Sequence, residues 1–134
     1  VHGLNRHQVL ILASMVEKET GAAQERSLIA RVFLNRLGRK MRLQSDPTVI
    51  FGLAAFNGNL TKADLQRETL YNTYTLPALP AGPICNPGRA AVEAVLHPAD
   101  SDALYFVSRN DGTHVFSTNL DEHNRAVRQY QVSR

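Results

Sequence analysis

A single cysteine, Cys85, is all the thiol chemistry the chain carries, so no internal disulfide can form. Its surroundings, Pro83-Ile84-Cys85-Asn86-Pro87-Gly88, match no nucleophile pattern, and it reads as a part-buried small residue in a loop. No apolar run approaches the roughly 18 residues a membrane-crossing helix needs, and no signal-peptide pattern is visible. There is no His-Glu-x-x-His pattern and no paired Cys/His spacing. A zinc site is therefore not expected, and neither another metal nor an organic cofactor is called for. The Gly-x-Ser-x-Gly elbow of serine hydrolases and the glycine loop that cradles phosphates are also missing. Charge of one sign is nowhere dense. The formal net charge is +3, with Lys and Arg spread along the chain, so nucleic-acid binding is not indicated.

What is present fits one ordinary domain. The 134 residues, 43% hydrophobic and 20% charged, are enough to bury a core and too apolar for disorder. The chain starts abruptly at Val1-His2-Gly3-Leu4, close to a helical pattern, and reads as a piece cut from a longer protein. Residues 7–20 predict a helix with Leu12, Met15, Val16 and Glu19 on one face at i, i+3, i+4 and i+7. Leu10, Ala13, Ser14 and Glu17 make a weaker face, and Gly21 is the expected stop.

A second helix is expected over 24–37, with Leu28, Ile29, Val32 and Phe33 as its stripe and Gly38 after it. Asp46-Pro47 predicts a helix start, with Asp46 as cap and Pro47 at the first position. Thr61 with Asp64 predicts a capping box. From Tyr71 to Gly88 the chain reads as a long ordered loop, where binding residues often sit. Residues 87–96 predict a helix that buries Ala91, Val92, Val95 and Leu96. Residues 103–107 and 114–117 predict a β-hairpin turning at Asn110-Asp111-Gly112. A last helix is expected over 120–130. The fold class is α+β, helix-rich, with one small antiparallel sheet. The absence of alternating βαβ units argues against a doubly wound sheet.

Glu19 is the most informative residue. A carboxyl at the end of an apolar stripe is partly desolvated, which raises its pKa and lets it act as a general acid near neutral pH. The partial negative charge of a helix C-terminus works in the same direction. Periodicity alone leaves open that Glu19 is merely a surface residue. Glu17, two positions away, projects about 200° around the helix and cannot share a cleft with Glu19. Glu25 either serves the next helix start, near Arg26, or lines the same cleft. His114 alternates with Phe116 on a strand, and His123 lies on the last helix beside Asn124. Either histidine has a purely structural reading as well. Gln44, Asp46, Tyr71, Asn72 and Tyr74 combine amides, a carboxylate and flat aromatic faces, the groups that bind sugars.

Several ordered blocks carry a resemblance. They are Leu12-Ala13-Ser14-Met15-Val16-Glu17-Lys18-Glu19-Thr20, Val32-Phe33-Leu34-Asn35-Arg36-Leu37 and Met41-Arg42-Leu43-Gln44-Ser45-Asp46-Pro47-Thr48-Val49-Ile50-Phe51-Gly52. They continue with Tyr71-Asn72-Thr73-Tyr74, Leu79-Pro80-Ala81-Gly82-Pro83-Ile84-Cys85-Asn86-Pro87-Gly88, Leu104-Tyr105-Phe106-Val107 and His114-Val115-Phe116-Ser117, leading to His123-Asn124. From about Leu10 to Tyr130 the chain resembles the endolytic murein transglycosylases, the MltG/YceG-like family. Phe51 stands where Tyr is expected, and Ala81 and Cys85 vary the Pro-rich loop. Glu19-Thr20 occupies the place of the Glu-Ser pair on the active-site helix of soluble lytic transglycosylases and goose-type lysozymes, which favours Glu19 over Glu17.

The resemblance implies a lysozyme-like lytic transglycosylase domain that cleaves the MurNAc–GlcNAc β-1,4 bond and leaves 1,6-anhydro ends. Glu19 would be the catalytic acid, with Glu25 and Glu17 as possible supports. Gln44, Asp46, Tyr71, Asn72, Tyr74, Asn86, His114, Phe116 and His123 would grip the glycan or its stem peptide. The alternatives from other classes are a non-catalytic peptidoglycan-binding module and a muramidase-type hydrolase. Residues 1–134 would be one catalytic domain, the C-terminal part of a longer protein. That protein would be anchored by a single pass in the bacterial inner membrane, through a segment absent from this chain, with the catalytic domain on the periplasmic side. Its partners would be peptidoglycan strands and the peptidoglycan synthesis machinery.

Overall fold

The structure, a computed structural model, describes residues 2–20, 22–53 and 58–132. Helix α1 (Arg6–Glu19) opens with a full capping box, in which the Asn5 side chain accepts from the Gln8 amide while the Gln8 side chain accepts from that of Asn5. The middle of α1 is buried nearly all round, and Leu12, Ala13, Met15 and Val16 have no exposed surface. Burial of each of the larger ones is worth about 1.5–3 kcal/mol. The chain leaves helical geometry at Thr20, which is extended (φ −146°, ψ 142°). Gly21, the expected stop, lies outside the described residues.

A short 3-10 turn, Ala23–Glu25, leads into α2 (Arg26–Gly38). Its inner face is Ile29, Ala30, Val32, Phe33 and Arg36, while Leu28 is only part-buried. Helix α3 (Asp46–Gly52) starts one residue earlier than the sequence suggests. Ser45 is the N-cap, Pro47 sits in the first turn, and Asp46 is already helical. Helix α4 (Lys62–Gln66) has the Thr61/Asp64 capping box expected of it. Residues 71–88 form an ordered loop without regular elements. Helix α5 (Arg89–Leu96) follows, with Ala91, Ala94 and Val95 buried and Val92 and Leu96 packed at the core's edge. Helices α1, α2 and α5 pack together around the core.

Strands β1 (Tyr105–Ser108) and β2 (His114–Ser117) form the only sheet among the described residues. They are antiparallel, with Phe106 opposite Phe116 and Ser108 opposite His114. Asn110 (φ 68°) and Gly112 (φ 89°) supply the left-handed positions of the turn. The hairpin docks on α2 through an edge-to-face contact of Phe106 with Phe33, ring centroids 5.8 Å apart. The final helix α6 (Leu120–Val127), capped by Asn119, runs into a π-helical turn, Arg128–Val132. The result is a helix-rich α+β fold with a two-stranded antiparallel sheet.

Side chains of α2 fix the approach to the hairpin by reaching for backbone carbonyls. Arg31 Nε donates to Ala99 O at 2.6 Å, Asn35 Nδ2 donates to Ser101 O and Ala103 O at 3.0 and 2.9 Å, and Arg36 Nε donates to Leu104 O at 2.6 Å. On the opposite side a hydroxyl network locks residues 45–48 to residue 73. The Ser45 amide donates to Thr73 Oγ1 at 2.8 Å, and Thr48 Oγ1 lies 2.8 Å from Thr73 Oγ1. Thr48 Oγ1 also donates to Ser45 O at 2.6 Å, and the Gln44 amide donates to Thr73 O at 3.3 Å. Ser45, Thr48 and Thr73 are buried, so these bonds satisfy groups that water cannot reach.

Candidate active site

These two fastenings leave a cleft of about 350 Å³ between them, within the usual range of ligand pockets. Glu19 comes from the end of α1. Gln44, Asp46 and Tyr74 line one side, and Phe106, Val107, Ser108 and His114 line the hairpin side. Arg36, Leu43, His123, Val127 and Gln131 complete the lining. Glu19 keeps a small exposed surface, but its carboxyl is deeply set. Burial, reinforced by the nearby charge of Asp46, raises its pKa from 4.5 to about 8. The Ser45 hydroxyl, 3.4 Å from Glu19 Oε2, works weakly in the opposite direction. The group therefore holds its proton at neutral pH.

Asp46 is positioned by the Tyr74 hydroxyl, which donates to its Oδ1 at 2.6 Å. Burial, together with Asp46, pushes that phenol above its ordinary range, so Tyr74 remains a donor. Gln44 holds a left-handed backbone (φ 52°), a strained state for a non-glycine residue that is found preferentially at functional sites. His114 is clamped from behind. Its backbone amide donates to Glu25 Oε2 at 2.9 Å and its Nδ1 lies 2.8 Å from Glu25 Oε1. Glu25 is 7% exposed; it does not line the cleft, and it acts on His114 rather than on Glu19. With Nδ1 engaged, Nε2 is the nitrogen His114 has left for a ligand. His123 stacks on Tyr105 with ring centroids 4.9 Å apart, and burial, then Arg36, lowers its pKa.

The YceG-like family model matches residues 1–129. The chain belongs to the YceG-like family. This YceG-like chain is 41% identical over 128 residues to an endolytic murein transglycosylase of Bacillus subtilis (strain 168), covering 96% of itself and 36% of that protein. It is 34% identical over 137 residues to an endolytic murein transglycosylase of Streptococcus pneumoniae serotype 2, covering 98% of itself and 25% of that protein. The fold is similar to the crystal structure of a YceG-like protein from Listeria monocytogenes. There the TM-score is 0.83 and the identity 44%, covering 89% of this chain and 39% of that one. The chain thus spans little more than a third of the curated relatives it matches, or less.

The remaining residues singled out in the YceG-like sequence sit elsewhere. Glu17 points away from the cleft, and its Oε1 accepts from the Gly88 amide at 2.6 Å, at the N-cap of α5. Asn72 is 1% exposed, and its side chain donates to Leu65 O and Arg67 O at 3.0 and 2.7 Å. Tyr71 packs against Phe51, ring centroids 4.7 Å apart. Phe116 packs against Phe106 and His114 behind the cleft surface, and Asn86 is exposed in the Pro-rich loop. None of these five lines the cleft. Cys85 is part-buried, with Sγ donating to Ser14 O at 3.3 Å, and burial pushes its thiol pKa up. No group of three or more His, Cys, Asp or Glu side chains that could hold a metal occurs among the described residues, and no helix among them is long and apolar enough to cross a membrane.

Arg36, Ser45 and Tyr105 escaped the sequence reading. A signal for Arg36 existed: Ile29, Val32, Phe33 and Arg36 repeat on α2 the i, i+3, i+4, i+7 spacing that singles out Glu19 on α1. Ser45 and Tyr105 had no such signal, because their partners are distant in sequence.

Proposed function

We propose that this chain is the catalytic domain of a lytic transglycosylase that cuts the MurNAc–GlcNAc β-1,4 bond of peptidoglycan and leaves a 1,6-anhydro-MurNAc end. The observation that carries this reading is the sheltered carboxyl of Glu19, its pKa raised to about 8, in a cleft lined also by Gln44, Asp46, Tyr74 and His114. Protonated Glu19 gives its proton to the glycosidic oxygen as the C1–O bond breaks through an oxocarbenium-like state. GlcNAc leaves with a 4-hydroxyl. The Glu19 carboxylate then takes the proton of the MurNAc C6 hydroxyl while that oxygen closes on C1. The acid is regenerated and no water is consumed.

The other lining groups have matching tasks. The charge of Asp46 stabilises the positive C1 centre and favours the proton on Glu19 beforehand. Gln44, Tyr74 and His114 offer hydrogen bonds to sugar or peptide. Glu25 holds the His114 ring in one orientation, and His123 closes the cleft beside Tyr105. The named relatives, both endolytic murein transglycosylases, support the same substrate. Peptidoglycan lies outside the cytoplasmic membrane, so the domain works on that side, and any contact with the synthesis machinery would be made there.

The presence of Asp46 in the same cleft supports a second reading, a muramidase-type hydrolase in which this carboxylate activates water. Digestion of purified sacculi followed by mass spectrometry separates them. Anhydro-muropeptides are the expected product. Hydrated reducing ends overturn the lyase in favour of the hydrolase, and intact strands leave only a glycan-binding module.

A further inference from the structure

Arg36 is a cation that the fold buries without a counter-ion. The residue is 8% exposed and lines the cleft with Glu19 and Asp46. Nε donates to Leu104 O at 2.6 Å, and Nη1 donates to Arg42 O at 2.8 Å and Gln44 Oε1 at 3.5 Å. All three acceptors are neutral. Nη2 has no acceptor among the described residues and is not one of their sealed, unsatisfied atoms, and the residue lines the cleft. No carboxylate of the described residues forms an ion pair with the guanidinium. Asp46 accepts from Tyr74 instead, and Glu19 is kept neutral. The Tyr105 ring, its centroid 5.0 Å from Arg36 Cζ, packs against the guanidinium. Removing a cation from water costs several kcal/mol unless an opposite charge repays it. Here that charge is left for the ligand, and a guanidinium whose Nη2 is unengaged can donate a charge-assisted hydrogen bond to a carboxylate.

We propose that Arg36 docks a carboxylate borne by the muramic-acid side arm of the substrate, and so makes the groove select acid-bearing over neutral glycan. The identity of that glycan rests on the function proposed above. Such a carboxylate has two sources: the lactyl carboxyl of a peptide-free muramic acid, or an acidic group of the stem peptide.

The test uses the whole protein with Glu19→Gln, so that strands are bound and not consumed. Dissociation constants are measured by calorimetry for four strands of equal length. They are peptide-bearing, peptide-free, peptide-free with the lactyl carboxyl capped as a primary amide, and a neutral chitooligosaccharide. With Arg36 in place, at least one acid-bearing strand should bind about ten-fold tighter than the capped and neutral ones. Arg36→Gln should erase that preference by weakening only the acid-bearing strands, and Arg36→Lys, which keeps charge but not the fork, should shrink it. Which strand loses affinity identifies the source of the carboxylate. The preference is a ratio within one protein, so a loss of folded fraction does not imitate it; Arg36→Lys supplies the reading if Arg36→Gln does not fold. Equal weakening of all four strands, no preference with Arg36 present, or no binding of acid-bearing strands overturns the proposal. The cleavage reading fails separately, when the unaltered protein releases no product from sacculi.

Discussion

Replacing Glu19 by Gln removes a titrating site while keeping its shape, and the benefit to folding should grow with pH. In the cleft this carboxyl titrates at about 8, against an ordinary 4.5. The folded state thus holds the proton more tightly than the unfolded chain, and folding is favoured while the proton is on. That stabilisation is complete below pH 4.5 and disappears as pH climbs through about 8. Each pKa unit corresponds to about 1.4 kcal/mol. Relative to the Gln variant, the unaltered protein should lose about 3 kcal/mol between pH 4 and pH 7, and about 5 kcal/mol by pH 9. Urea unfolding of both proteins across this range measures the difference directly, because every other titration is common to both and cancels. Curves that stay parallel to within about 1 kcal/mol from pH 4 to pH 9 refute the raised pKa, and the general-acid assignment falls with it.

Cleavage of sacculi should hold steady through neutral pH and drop about ten-fold per pH unit above about 8, as Glu19 loses its proton; a fall centred near pH 5 contradicts this. Glu17→Ala should keep activity within about two-fold and cost about 1 kcal/mol by uncapping α5, whereas an inactive Glu17→Ala of normal stability would transfer the acid role to it. Glu25→Gln should free the His114 ring, seen as displaced imidazole resonances by NMR, and cost about 2 kcal/mol in thermal unfolding. Unchanged resonances speak against the clamp. Thr73→Val should destabilise by about 1–3 kcal/mol by leaving buried partners unsatisfied; a chemical-denaturation midpoint equal to the parent's counts against the hydroxyl network.

Local chemistry explains which parts of the fold were legible. The spacing of Leu12, Met15 and Val16, the Thr61/Asp64 box and the Asn110-Asp111-Gly112 turn each depend on neighbours within a few residues, and each appears in the structure. The α3 start missed by one residue because Asp46, a good cap by type, is drawn into the cleft by Tyr74, 28 positions away. Glu25 presented only its local neighbours to the sequence reading, while its partner His114 lies 89 positions on. Asn72 and Tyr71 have sugar-binding chemistry, but the Asn72 amide is engaged inside the protein and the Tyr71 ring packs against Phe51, away from the cleft. Residue type suggests what a side chain can bind; long-range packing decides whether it is free to do so.

The α2 fastening has an evolutionary consequence. Arg31, Asn35 and Arg36 all grasp main-chain oxygens of residues 99–104, and a peptide carbonyl is present whatever amino acid occupies the position. The three grasping side chains are therefore less tolerant of exchange than the ribbon they hold, which can drift in identity provided its path is kept. A saturation-mutagenesis library scored for folded yield should be sharply depleted at those helix positions and permissive at the exposed members of the ribbon, Asp100 and Asp102.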